Sequence, residues 1–144
     1  MLRLRTPRSP RTILRLDALF DFVVALVLLA GPVDRLFDFF SLPGDTPAIV
    51  GRLLSLPLSA FAAVLWLASR NVRLEVPIAL AAAIANGVTV PLILIWMLTG
   101  GSDMSPAGFV VAIVVSLVLA AFSSLELEIV RETGVRPRPR ADRS

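Results

Sequence analysis

Residues 77–99 read Pro77-Ile78-Ala79-Leu80-Ala81-Ala82-Ala83-Ile84-Ala85-Asn86-Gly87-Val88-Thr89-Val90-Pro91-Leu92-Ile93-Leu94-Ile95-Trp96-Met97-Leu98-Thr99, 23 residues without a charged side chain. A helix of about 20 apolar residues crosses the hydrocarbon core of a bilayer, so this run predicts a transmembrane helix. Pro91 falls inside it and predicts a kink, which a membrane helix tolerates. Two further runs open on a cap followed by proline, Thr46-Pro47 and Ser105-Pro106. A hydroxyl at the cap and a proline at the first helical position both suit a helix start. They predict spans over about 47–69, with Arg52 snorkelling to the headgroups, and about 106–125, whose helix can continue through Glu126, Glu128 and Arg131. Phe22 to Ala30 is the apolar heart of an earlier span, about 12–31.

The basic start and short apolar run before Gly31 also fit a signal peptide. Asp17 and Asp21 in or beside that run, a poor cleavage site at Gly31-Pro32 and three later spans argue against it. The predicted fold is all-α: a four-transmembrane-helix bundle forming one membrane domain over 1–144, with flexible Arg- and Pro-rich tails at 1–11 and 134–144. Between the first two spans, Val33, Leu36, Phe37 and Phe40 recur at i, i+3, i+4 and i+7. This predicts a short interfacial helix over Pro32–Leu42, with an aromatic-bearing loop as the alternative.

Composition supports the membrane reading and removes several chemistries. The chain is 56% hydrophobic, against 45–50% in an average soluble domain. It holds no Cys, His, Tyr or Lys. Dithiol redox chemistry, Fe–S clusters, the usual haem ligands, nearly all zinc sites and histidine-assisted nucleophiles are thereby excluded. No cofactor and no metal is expected, and any acid–base work falls to carboxylates. The basic residues are all Arg, which with abundant Ala, Gly and Pro fits a GC-rich bacterial genome.

Twelve of the 14 Arg fall in the N-terminal tail, the turn after the second span or the C-terminal tail; only Arg35 and Arg52 lie on the other side. The positive-inside rule then places both termini in the cytoplasm. The same bias argues against a dual-topology protein.

Small residues every four positions predict close helix packing: Ser55, Ser59 and Ala63; Ala79, Ala83 and Gly87; Ala112, Ser116, Ala120 and Ser124. These faces serve a compact bundle or, alternatively, a homo-oligomer. Arg15-Leu16-Asp17 and Arg73-Leu74-Glu75 precede the first and third spans, and Thr46-Pro47-Ala48 and Ser105-Pro106-Ala107 open the second and fourth. Such spacing fits two parallel helical hairpins, or ordinary helix starts that coincide. In a duplicated bundle, Arg15 would pair with Glu75 and Arg73 with Asp17.

Asp21 is the most informative side chain. About eight residues into the first span it lies ~12 Å along the helix, where a carboxylate at the membrane centre costs ~3 kcal/mol or more. Asp17 sits one turn earlier on the same face. Two carboxylates so placed suit proton transfer, with Glu75 as a third candidate acid or base. Ion pairing with Arg15, Arg70 or Arg73 near the headgroups is the competing reading. Asn86, Ser59 and Ser116 fall at similar depths and are candidate substrate contacts, or else interhelical hydrogen bonds. Trp66 is a further candidate contact and, with Trp96, an interfacial anchor. Glu126 and Glu128 are expected at the cytoplasmic exit of the fourth span, paired with nearby Arg. The Arg-rich tails should attract anionic lipid; without a folded module or interleaved aromatics, nucleic acid is not an expected partner.

The outline resembles the small DoxX-like proteins of the bacterial inner membrane: an Arg-led first span, the Gly31-Pro32 exit, an amphipathic Leu36-Phe37 stretch and Leu42-Pro43 leading into the second span. The resemblance covers most of 13–125 and implies a multi-pass, four-helix protein of the cell membrane. Typical members carry a Lys late in the first span, and this sequence has none. Three functions fit: an accessory or structural membrane component with a buried carboxylate site, an intramembrane acid–base isomerase or cyclase for a lipophilic small molecule, and a small proton-coupled transporter using Asp21.

Overall fold

The computed structural model describes residues 9–31, 35, 48–100 and 105–134. Four long helices run through them: α1 Pro10–Ala30, α2 Ala48–Ala68, α3 Val72–Gly100 and α4 Pro106–Gly134. The interfacial helix expected at Pro32–Leu42, the Thr46-Pro47 opening, the turn before Ser105 and most of both tails lie outside the described residues.

Local chemistry sets the helix ends. Pro10 occupies the first turn of α1 behind Ser9, and the Gly31 N–H closes the helix on the Val27 carbonyl at 2.9 Å. A Cβ on Gly31 would run into that same carbonyl, so the close approach requires glycine. α3 begins before Pro77, because Asn71 caps it: its Oδ1 accepts the Arg73 N–H at 3.0 Å, the role of an N-cap side chain. Pro77 and Pro91 both lie within a continuous helix. Ser105 caps α4 by accepting the Gly108 N–H at 3.0 Å, and α4 runs past Glu126 and Glu128 to Gly134.

Three stretches are long and apolar enough to cross a membrane: Ile49–Ala68, Val72–Thr99 and Pro106–Thr133. The surface agrees with that role. Large apolar side chains point outward along every helix, among them Leu53, Leu56, Ile84, Leu92, Val110 and Leu117, whereas Asp17, Asp21, Ser55, Ser69, Asn86, Ser116 and Glu126 are buried. In water this would be an inside-out protein, with its polar groups inside and large apolar patches outside. In lipid it is the stable arrangement, so the chain is a membrane protein.

The helices pack as two hairpins, α1 along α2 and α3 along α4, with much sparser contact between the hairpins. One apolar cluster closes the end shared by the start of α1, the end of α2, the start of α3 and the end of α4: Ile13, Leu14, Ala18, Leu65, Ala68, Ala79, Ala82 and Ile129. Both ends of the described chain therefore lie at the same end of the bundle. Within the second hairpin, the Ser123 hydroxyl donates to the Ala83 carbonyl at 2.8 Å, and a Cβ on Gly87 would stand 3.0 Å from the Ser123 Oγ.

The small-residue stripes hold only in part. Four residues advance a helix by about 400°, so a strict i, i+4 stripe drifts about 40° per step, and a buried face must mix steps of three and four. In α4 that face carries Ala112, Ser116, Leu119, Glu126 and Ile129, while Ala120 is half-buried and Ser124 exposed. In α2 it carries Ser55, Ala62 and Leu65, with Ser59 half-buried and Ala63 exposed.

Candidate functional site

The buried positions of α1 are Ile13, Leu14, Asp17, Ala18, Asp21 and Ala25. These follow one helical stripe, so the two aspartates turn inward together. Asp17 is 0% and Asp21 5% exposed. α3 brings Asn86 to the same interior on the stripe of Ala79, Ala82 and Ala83, and α4 brings Glu126, 0% exposed, on the stripe of Ala112, Ser116 and Leu119.

Asn86 joins these groups. Its Nδ2 donates to Asp17 Oδ2 at 3.2 Å and to Glu126 Oε2 at 3.2 Å. A carboxamide nitrogen has two hydrogens, one for each acceptor. A single side chain thus ties α3 to α4 and the second hairpin to the first. The Phe20 and Phe122 rings meet with centroids 6.0 Å apart at an interplanar angle of 48°, a tilted aromatic contact between α1 and α4.

The remaining oxygens are the unusual feature. Asp17 Oδ1, Asp21 Oδ2 and Glu126 Oε1 are buried without a hydrogen-bond partner. Leaving a buried acceptor unmet costs about 1–3 kcal/mol, and more if it is charged. Among the described residues, no three metal-ligating side chains are grouped to hold a metal ion.

The other candidate residues lie apart. Glu75 is half-buried in the first turn of α3, about 16 Å along the helix from Asn86 at 1.5 Å per residue. Ser116 is buried, and its hydroxyl donates to the Ala112 carbonyl at 2.8 Å; Ser59 is half-buried. Trp66 is 42% exposed, with the guanidinium carbons of Arg15 and Arg70 at 5.7 and 5.4 Å from a ring centroid. Arg15 Nε also donates to Ser69 Oγ at 3.3 Å. Asp17 therefore bonds Asn86 rather than Arg73, and Arg15 goes to Ser69 and Trp66 rather than to Glu75.

The sequence predicts Glu126 at a helix exit with Arg partners; it belongs instead to the buried site. The signal for it was the spacing from Ala112, Ser116 and Leu119, legible once α4 is carried past residue 125. No protein-family model matches the chain, and no curated protein or solved structure shows significant similarity to it.

Proposed function

We propose that the chain is a four-span protein of the cell membrane, with both termini cytoplasmic, that works as a small proton-coupled transporter through the Asp17–Asn86–Glu126 site. α1 is the fourth span in this reading. Its 21 residues reach ~31 Å at 1.5 Å each, and its outer face carries Leu16, Leu19, Phe22, Val23, Leu26, Val27 and Leu29. Its two aspartates face the interior, so the helix presents lipid with an apolar surface despite its charges. The Arg distribution supplies the orientation. The four-helix outline resembling DoxX-like proteins of the bacterial inner membrane is part of the same proposal.

The observation that carries the proposal is the pair of buried carboxyl groups, Asp17 and Glu126, held on one amide, with Asp21 buried one turn along α1 and one oxygen of each of the three unmet. Three like charges this close, in a medium of low dielectric, cannot all persist. A proton shared among them removes a charge and adds a donor, and such a cluster titrates as a unit. Packing alone would be served as well by apolar residues, which often replace buried ionic groups without loss of stability.

The location favours transport. The site bridges the seam between two hairpins that otherwise touch sparsely, and in transporters built of repeats the coupling site lies between the moving halves. Opening the seam exposes the carboxyls; a deprotonated cluster with apolar walls then suits a lipophilic cation. Reconstituted protein under an imposed pH gradient should accumulate tetraphenylphosphonium, and Asp17→Asn or Glu126→Gln should abolish the uptake. Folded protein that moves none of this probe under the gradient, or variants that match the parent, would remove the transport reading.

A further inference from the structure

We infer that Arg15, Arg70 and Trp66 form a binding site for a phosphate-bearing anion at the end of the first hairpin. The inference depends on the membrane reading and is independent of the proton site. Arg15 comes from α1, Trp66 from the last turn of α2, and Arg70 from the turn that follows it. The two guanidiniums converge on one indole, 5.7 and 5.4 Å from a ring centroid. Ser69, itself fully buried, holds the arrangement: its hydroxyl donates to the Trp66 carbonyl at 2.7 Å and accepts from Arg15 Nε at 3.3 Å.

The groups described around both guanidiniums are thus a hydroxyl and an aromatic face, neither of which carries a charge. Each guanidinium keeps N–H donors that neither the ring nor the hydroxyl uses, and a phosphate at the edge of the indole can accept them. Guanidinium forks match the oxygens of a phosphate through paired N–H donors. Arg15 and Arg70 are exposed and Trp66 is half-exposed, so the ligand can enter from outside the bundle. An indole with a wet edge and an apolar body belongs at headgroup depth, which places both Arg where lipid phosphates lie. The arrangement is distinct from the Arg-rich tails, because these two Arg are fixed by the fold.

The test uses the full chain carrying Trp96→Phe, so that Trp66 alone reports by fluorescence, in nanodiscs of phosphatidylcholine with and without phosphatidylglycerol. Native mass spectrometry counts the retained lipid. Phosphatidylglycerol should shift Trp66 emission and be retained preferentially, and Arg15→Gln with Arg70→Gln should weaken this by about tenfold or more, at ~1 kcal/mol per Arg near the surface. Arg70→Gln alone, in an exposed turn position, should weaken it at least about threefold and serves if the double variant does not fold. Lys at both positions should recover only part, because the fork is lost. Inorganic phosphate titrated into the phosphatidylcholine discs separates the sources: a saturable Trp66 shift identifies a soluble phosphate as a ligand, and its absence beside a phosphatidylglycerol response identifies the headgroup. The inference is overturned if neither probe moves Trp66, or if the Gln variants bind as the parent does while Gln at Arg136, Arg138, Arg140 and Arg143 abolishes binding.

Discussion

Asn86 of α3 donates a 3.2 Å hydrogen bond to Asp17 of α1, and this bond crosses the seam between the two hairpins where contact is otherwise thin. The same nitrogen holds Glu126. The amide is therefore the junction of three helices, and the stability of the bundle should depend on it.

Asn86→Leu removes both bonds and leaves two further buried oxygens unmet. The expected loss is about 2 kcal/mol or more, read as a lower midpoint of thermal unfolding in detergent. Asn86→Gln keeps the donors on a longer arm and should lose less. Equal stability for Asn86→Leu and the parent would show that the amide does not hold the hairpins together.

Asp17→Asn is expected to behave differently from a usual polar core substitution. It removes one of three like charges and adds an amide donor beside Glu126, so the unfolding midpoint should hold or rise while proton-coupled uptake disappears. A variant that loses both stability and uptake would point to an ionised Asp17 as a structural requirement.

Gly87 gives α4 room to approach α3. Gly87→Leu forces a branched side chain against Ser123 and displaces its bond to the Ala83 carbonyl, a form of overpacking that costs about 1–3 kcal/mol. Ser123→Ala should cost less, since it removes one bond without adding volume. The comparison of the two midpoints in detergent checks the register of the second hairpin.

Charge exchange separates the site seen here from an interfacial ion pair. Asp17→Arg should destabilise the protein by burying an unpaired cation, and adding Arg73→Asp should recover nothing, because Asp17 bonds Asn86 and Arg73 is exposed. Recovery in the double variant beyond the sum of the singles would restore the Arg73–Asp17 pairing.

Much of the helical framework was legible in the sequence. Uncharged runs marked two spans, a run broken only by Arg52 marked a third, and the i, i+4 spacing of Asp17 and Asp21 put both on one face of α1. Asn86 stood out as a lone amide in an apolar run. α3 starts five residues before Pro77: Pro77 is a strong local signal, while the Asn71 cap that sets the true start is a weak one. Glu126 departs from its sequence pattern for a related reason: charged residues after Leu125 signal an exit, but one face of a helix can stay buried after the other has become polar. Glu128, two positions on and exposed, is the residue that signal described. The convergence of Asp17, Asn86 and Glu126 depends on the register between hairpins, which no local pattern encodes.

The proposed topology rests on the Arg distribution. Reporters fused after Ser144 and within Arg70–Arg73 should both read cytoplasmic, and reporters near Asp45 and Asp103 external. A reporter fused ahead of Met1 that reads external while Arg70–Arg73 reads cytoplasmic would remove α1 from the set of spans, and with it the placement of Asp17 and Asp21 inside the membrane.

The central claim is that the buried cluster holds a proton, and infrared difference spectroscopy of the full chain in lipid reads that directly. Protonated carboxyl groups absorb apart from carboxylates, and exchange into heavy water shifts the band. The account predicts a protonated-carboxyl band at neutral pH that is diminished in the Asp17→Asn/Glu126→Gln double variant and kept in Glu75→Gln. A parent spectrum with only carboxylate bands at neutral pH, or a protonated band unchanged in the double variant, would contradict it.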